Sequence, residues 1–411
     1  MAKIAEIIVR YIMNSRGNPI IEIDVVLADG TLGRAAVPDY PFCSLYETIE
    51  IAGGNKKRYL SETLKARLEC ISSVIATRIV GMDALEQAAI DSILMELAGV
   101  YHKDIMGATT SLGVSLAVAK AAAASLNRPL YRYLGGLNTM QMPAPMMTML
   151  NGGNHNFNNL DFREFMLVPV GAVSFADALL MCNDVYDTLK SILESCGRSI
   201  CLGETGGIAP NLVSNEEGVA VLLQAIKQAG YKPGRQIALA LDVAATGFFA
   251  DGVYNLPGEG FIKTPAEMVE YYTRLVEEYP IVSIKDGLAR EDREGWELFN
   301  RCLREKIQLL GDDLNKTGDA ILIKFNEMTT LTEILDKARI AKNAGYTCIF
   351  SQNANTANDP AIADIAVSIN ADQIKGGAPV GTGQVGVYNQ LLRIEEELGK
   401  VGNNILRSHG H

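Results

Sequence analysis

The chain has 411 residues, 48% of them hydrophobic, and a formal net charge of −11. That length suits a barrel-sized domain with a smaller second one, and no stretch approaches the ~20 uninterrupted apolar residues that a membrane span needs. The acidic balance argues against nucleic acid and anionic membrane surfaces as partners, so we expect a small molecule or a protein partner instead.

The N-terminal segment and the cysteines indicate a reducing compartment. Glu6 and Arg10 interrupt the first apolar run, which is unlike a secretion signal. The seven cysteines are odd in number, scattered and without CxxC spacing, which favours free thiols over disulfides or a zinc site. We therefore expect a cytoplasmic protein.

The first third of the chain has the pattern of an α+β domain over residues 1–135. Residues 3–12 and 20–27 alternate as strands around the turn NSRGNP, and GTLGRAAVP predicts a third strand. From about residue 59 to 134 the period becomes helical, with one helix expected to begin at an Asp83 cap. A β-meander followed by helices is the expected arrangement.

Residues 136–411 alternate short apolar strands with amphipathic helices, which is typical of a parallel sheet. Helices are predicted at 174–195, 215–229, 265–278 and about 291–304. The eight predicted strands are EFMLVPV, SICLG, QIALALD, IVSI, IQLLG, AILIK, TCIFS and DQIK. Eight such strands favour closure into a (β/α)8-type barrel, whose active face lies at the strand ends.

Polar residues occur at or near one end of these strands. In chain order they are Glu164, Glu204, Asp242, Lys285, Asp312, Lys324, Ser351 and Lys375. Because the ends of successive barrel strands converge, we expect these side chains to form one site at the barrel mouth.

Long segments of the chain resemble enolase, the lyase that converts 2-phosphoglycerate to phosphoenolpyruvate. They include NSRGNPIIEIDV, GVSLAVAKAAAASL, MLNGG, APNLVSNEEG, DGLAR, GDDL and YNQLLRIEEELG, in order over residues 3–399. The resemblance implies an α/β fold with an N-terminal meander-and-helix domain and a C-terminal (β/α)8-type barrel. It also implies Mg²⁺ as cofactor and a homodimer or ring of dimers.

Several positions match the residues that the resemblance assigns to chemistry. Lys324 stands at the position of the base, and Lys375 at that of the lysine that holds the substrate carboxylate. Asp242 and Asp312 match two of the three metal carboxylates. The remaining matches are an acid–base partner, a site histidine and a retained serine: Glu164, His155 and Ser351. The alternative for each is a structural ion pair at the barrel mouth.

Other positions depart from the enolase pattern. Lys285 replaces the third metal carboxylate, so a donor-only cation stands where an oxygen ligand belongs. We expect its ammonium to lie between Asp242 and Asp312; the alternative is that it extends to solvent. Four further positions of the acid–base pair, the mobile loop and the phosphate clamp are altered: Thr205, Phe42, Gln352 and Asn353.

The connector after the strand ending at Gly311 is also shorter than the resemblance requires. Only NKTGDA, residues 315–320, separates GDDL from ILIK, which is too short for the expected helix. We predict that one barrel helix is missing there.

Three functions remain open. The first is an enolase-family protein with little or no enolase activity, in which Mg²⁺ binding is weak or absent. The second is a metal-independent enzyme that uses Lys324, Lys285 and Lys375 on a small carboxylate without a phosphate. The third is a divergent, active Mg²⁺-dependent enolase.

Overall fold

The computed structural model contains two compact units. One comprises Met1–Thr139, Lys324–Arg339 and Asn355–Ile369, and the other comprises the remainder of the chain. The residues that the structure describes are 2–14, 17–37, 62–100, 108–139, 141–153, 158–311, 319–324, 328–351 and 359–399. None of the helices in these ranges is both long and apolar enough to cross a membrane.

The first unit contains the expected three-stranded antiparallel meander. Its strands are β1 (Ile4–Met13), β2 (Pro19–Leu27) and β3 (Leu32–Val37), in the order β1-β2-β3. The helix Ala108–Ser125 packs closely on this sheet at Gly33. A Cβ atom at Gly33 would lie 2.2 Å from both the Ala117 carbonyl oxygen and the Ala121 amide nitrogen, so only glycine allows this approach.

A buried carboxylate joins the three strands of this sheet. Asp24 on β2 accepts hydrogen bonds at 2.6 Å from Arg10 on β1 and from Arg34 on β3. The hydrogen bond from Arg34 is the main reason that the pKa of Asp24 falls to about 2, against the opposing effect of burial. Asp24 therefore stays ionised well into the acid range.

The remaining described part of the first unit is helical. Its helices include Glu62–Glu69, a π-helical turn at Cys70–Ile75, Ala76–Ile79, Gln87–Val100, Ala108–Ser125, Leu130–Gly135 and Ala361–Ser368. The helix expected to begin at Asp83 begins four residues later, at Gln87. The Asp83 carboxylate instead accepts hydrogen bonds from the Ala2 and Leu85 amides, which removes it from the helix terminus.

The second unit is built around a closed eight-stranded barrel in the order β10-β11-β12-β13-β14-β4-β5-β6. The barrel strands are β4 (Ala144–Asn151), β5 (Glu164–Val168), β6 (Ala238–Asp242), β10 (Ile281–Lys285), β11 (Gln308–Gly311), β12 (Ala320–Lys324), β13 (Thr347–Ser351) and β14 (Gln373–Gly377). A small separate sheet contains β7 (Phe249–Ala250), β8 (Val253–Leu256) and β9 (Phe261–Lys263).

Amphipathic helices follow several of the barrel strands, and the periodicity predicts the first four of them. They are Phe175–Ser195, Asn215–Gln228, Pro265–Glu278, Arg293–Leu303, Leu331–Asn343 and Thr382–Leu398. Four of them begin at side chains that accept a hydrogen bond from a first-turn amide: Ser174, Ser214, Thr264 and Asp292. Such caps satisfy amides that have no partner within the helix, and they place these helix starts where the sequence predicts them.

The predicted strand at residues 199–203 is wrong. Leu202 there is 57% exposed and forms only an isolated bridge with Ile208. The eighth strand is β4, whose residues are all buried. A continuous apolar run such as PMMTML fits a strand covered on both faces better than a segment that leaves its leucine in water.

One barrel strand runs against the expected parallel direction. β5 pairs antiparallel with both β4 and β6, whereas β6 and β10 are parallel. The first residue of β5, Glu164, therefore lies at the edge where β4 and β6 end.

Apolar side chains from six strands form a cluster that excludes water from the barrel. The cluster consists of Met146, Met166, Val168, Ala238, Ala240, Leu310, Ala320, Leu322 and Ile349. Because such an interior is a packed core, chemistry is restricted to the strand ends.

The connection between β11 and β12 is short for parallel neighbours. Leu310 pairs with Ala320, and residues 312–319 join the two strands. Parallel strands usually need a crossover of a dozen residues or more. Residues 312–318 lie outside the described ranges, so the missing helix stays a prediction.

Candidate active site at the barrel mouth

Four polar residues lie in register across four neighbouring strands at the mouth. Asn151 on β4 pairs with Glu164 on β5, Glu164 pairs with Asp242 on β6, and Asp242 pairs with Lys285 on β10. All four are buried. The row exists because β5 is reversed, which brings its first residue beside the last residues of its neighbours.

Asp242 lies between two lysines. Its Oδ1 atom is 3.5 Å from the Lys285 Nζ atom, and its Oδ2 atom is 2.9 Å from the Lys375 Nζ atom. Burial alone would raise the pKa of Asp242, but the charges of Lys285 and Lys375 outweigh it and hold this pKa well below its usual range. The carboxylate is therefore ionised, with an ammonium group at each oxygen.

Lys285 is held inside the mouth and does not extend to solvent. It is only 4% exposed. Besides Asp242, its ammonium contacts the carboxylate of Asp286, the next residue along the chain. The expected contact with Asp242 is confirmed, whereas Asp312 lies outside the described residues.

Both carboxylate oxygens of Glu164 accept hydrogen bonds from protein side chains. Its Oε1 atom accepts from Lys375 at 2.9 Å, and its Oε2 atom accepts from the Thr148 hydroxyl at 2.6 Å. Lys375 thus bridges Glu164 and Asp242. This bridge joins residues 211 positions apart and ties β14 to β5 and β6.

Thr205 and Glu204 point to different partners. Thr205 is buried, and its hydroxyl exchanges hydrogen bonds with the Asn151 amide at 2.8 and 3.1 Å. The Glu204 carboxylate lies 3.4 Å from an Arg163 guanidinium nitrogen and is more exposed. Glu204 therefore reaches the polar cluster through Arg163, while Thr205 supports the end of β4.

The loops that follow Asp242 and Lys285 hold strained residues. Ala244 and Asp286 adopt left-handed backbone conformations, with φ of 52° and 46°. The Ala245 amide donates to the Asp286 carbonyl at 3.0 Å, which joins the two loops. Alanine rarely adopts this conformation, so Ala244 carries backbone strain that the surrounding structure must offset, whereas aspartate tolerates it better.

The other sequence-predicted residues divide into two groups. Lys324 ends β12, and Ser351 ends β13, where it is buried and pairs in register with Lys375. Five residues lie outside the described ranges, and their predicted roles stay predictions: Phe42, His155, Asp312, Gln352 and Asn353.

Sequence reasoning missed four residues of the cluster. Arg163 and Asp286 directly adjoin Glu164 and Lys285 in the sequence, and that adjacency to strand-end charges is a signal that could have found them. Thr148 and Asn151 belong to the unrecognised strand β4; the segment MLNGG, which contains Asn151, could have marked that residue, whereas no signal marked Thr148.

The described residues do not fit a Mg²⁺ ion at Asp242. A divalent metal needs free oxygen ligands, and both oxygens of this carboxylate already face an ammonium group. An ammonium beside a metal would also repel it. Within the described ranges, no group of three or more histidine, cysteine, aspartate or glutamate side chains is arranged to hold a metal.

Two family models match the chain. The model of the enolase N-terminal domain matches residues 4–134, and the model of the enolase C-terminal TIM barrel domain matches residues 139–408. Together they span both units of the fold.

Proposed function

The chain belongs to the enolase family, and from this premise we propose that it has little or no phosphopyruvate hydratase activity and uses a metal-free site. The observation that carries the proposal is the pair of ammonium groups on Asp242, at 3.5 and 2.9 Å. In the reaction implied by the family, Mg²⁺ neutralises the charge that develops on the substrate carboxylate. Here the charge of Asp242 is already neutralised by the protein itself.

The altered acid–base position supports the same proposal. Thr205 cannot ionise in the range where a carboxylate works, and its hydroxyl is hydrogen-bonded to Asn151. Glu164 is held by Lys375 and Thr148. A missing general acid lowers the rate by about 10²–10⁴.

A metal-independent enzyme acting on a small carboxylate is the second candidate. Within the described residues, the mouth is hydrogen-bonded and contains two buried lysines, and its loops hold left-handed residues at Ala244 and Asp286. Such features favour a working site over a decayed one. In this function Lys375 would hold a substrate carboxylate, and Lys324 at the end of β12 would move a proton.

The first test measures 2-phosphoglycerate turnover by the purified protein with Mg²⁺. We expect no turnover above background. The melting temperature should also be the same with and without Mg²⁺, because a ligand that binds only the folded state raises stability by mass action. Turnover at a rate typical of an enzyme, with stabilisation by Mg²⁺, would identify a divergent active enolase instead.

A pair of variants tests the role of Lys285 directly. Lys285→Glu supplies an oxygen ligand beside Asp242 and should produce a Mg²⁺-dependent rise in melting temperature. Lys285→Met removes the ammonium without adding a ligand and serves as the matched control. An equal Mg²⁺ response in both variants, or in neither, would contradict the assignment of this position as the determinant of metal binding.

A further inference from the structure

We propose that Arg163 binds a small organic carboxylate at this site, and that the Glu204 carboxylate holds the place of that ligand when none is bound. The inference deepens the proposed function, because it assumes a mouth whose charges are neutralised without a metal.

The guanidinium of Arg163 has one contact to a carboxylate and one buried donor without a partner among the described residues. One terminal nitrogen, Nη2, contacts Glu204 at the long distance of 3.4 Å. The neighbouring Nε atom is buried and has no hydrogen-bond partner among the described residues. A carboxylate can accept from Nε and a terminal nitrogen together, in a planar pair that Glu204 does not complete. A buried donor without a partner is costly, which favours a ligand that supplies one.

Arg163 and Glu204 are exposed enough for a ligand carboxylate to replace that of Glu204 on Arg163. The Arg163 side chain is 36% exposed and that of Glu204 is 22% exposed, whereas Asp242 and Glu164 are almost fully buried. The charges of Asp242, Glu164 and Glu204 all act on Arg163. Arg163 therefore lies between the solvent-accessible rim and the buried carboxylates.

The shape of the donor pair favours a carboxylate. A ligand carboxylate that displaces Glu204 from Arg163 puts one planar group in place of another and can accept from Nε and Nη2 together. Inorganic phosphate has a charge similar to that of malonate at neutral pH but is tetrahedral, so a comparison of the two reports shape and not charge, and we expect malonate to bind more tightly.

The experiment compares two variants of opposite expected effect, using malonate as the probe and the melting temperature and calorimetric titration as readouts. Glu204→Gln removes the carboxylate that competes with the ligand for Arg163, and malonate affinity should rise about fivefold. That factor corresponds to about 1 kcal/mol, the upper end of the free energies measured for partly exposed ion pairs. Arg163→Gln removes the guanidinium, and affinity should fall at least about tenfold. Sodium chloride at equal ionic strength controls for screening.

A second arginine–glutamate pair in the same unit provides matched controls. Arg274 binds Glu216 at 2.7 Å and has similar exposure. Arg274→Gln and Glu216→Gln should leave malonate affinity at the level of the unmodified protein. Inorganic phosphate serves as a comparison probe, and preferential binding of phosphate would overturn the assignment to carboxylates.

Two other outcomes would overturn the inference. One is unchanged affinity in Arg163→Gln, and the other is an absence of malonate binding in Glu204→Gln, in which the guanidinium lacks its acidic partner. Because Glu204→Gln is expected to gain affinity, a folding defect in Arg163→Gln cannot imitate the full pattern. These outcomes are separate from Mg²⁺-dependent turnover, which tests the proposed function and does not involve malonate.

Discussion

Replacing Lys285 by methionine tests whether its ammonium stabilises the buried Asp242 carboxylate. At 3.5 Å and an effective dielectric constant of about 20, the attraction between the two charges is about 5 kcal/mol before desolvation. Removing one partner of a buried pair typically costs about 3–5 kcal/mol. Since Lys375 remains 2.9 Å from the other oxygen, we expect the free energy of unfolding to fall by about 3 kcal/mol.

The assay is equilibrium unfolding in urea at neutral pH, followed by circular dichroism. Lys306→Met is the matched control, because it breaks an exposed pair with Glu277 at 3.2 Å and should cost less than about 1 kcal/mol. The difference between Lys285→Met and the unmodified protein should narrow only in strong acid, because Asp242 becomes protonated at a higher pH in the folded variant, which has lost one of the two ammonium groups that lower its pKa, than in the folded unmodified protein. A loss in Lys285→Met no larger than that in Lys306→Met would refute the reasoning.

Three further predictions concern the stability of the fold. Asp24→Asn should lower the free energy of unfolding by about 2 kcal/mol at pH 7, because the pKa of this carboxyl is lowered to about 2 in the folded state. In urea unfolding at several pH values, this loss should disappear as the pH falls from about 4 through about 2. Ala244→Gly should increase the free energy of unfolding by roughly 0.5–1 kcal/mol and raise the melting temperature, because glycine relieves the backbone strain at φ 52°. A lower melting temperature would show that the alanine side chain is needed. Gly33→Ala should destabilise the first unit by about 1–3 kcal/mol, because the added Cβ atom would overlap helix backbone at 2.2 Å. Gly99→Ala, on an open helix surface, should instead stabilise this unit. Equal effects of the two substitutions in the same thermal assay would contradict the packing argument.

Much of the fold follows from local patterns. The meander, the capped helices and seven of the eight barrel strands were predictable, because alternation, helical period and capping residues act over a few neighbouring positions. The same locality explains the errors. Asp83 resembles a helix cap but is used by the Ala2 amide, and residues 199–203 resemble a strand but have no place in the closed sheet.

In the candidate site, the residue types could be predicted from the sequence, but their contacts could not. The sequence by itself determined that charged residues end the strands and that an amine, Lys285, stands at a position where the resemblance to enolase leads us to expect a carboxylate. Only the tertiary structure decided that this amine faces Asp242, that Lys375 bridges to Glu164, and that Glu204 meets Arg163. Residue types and spacings are local properties, whereas these contacts join positions up to 211 residues apart and exist only once the barrel has closed with β5 reversed.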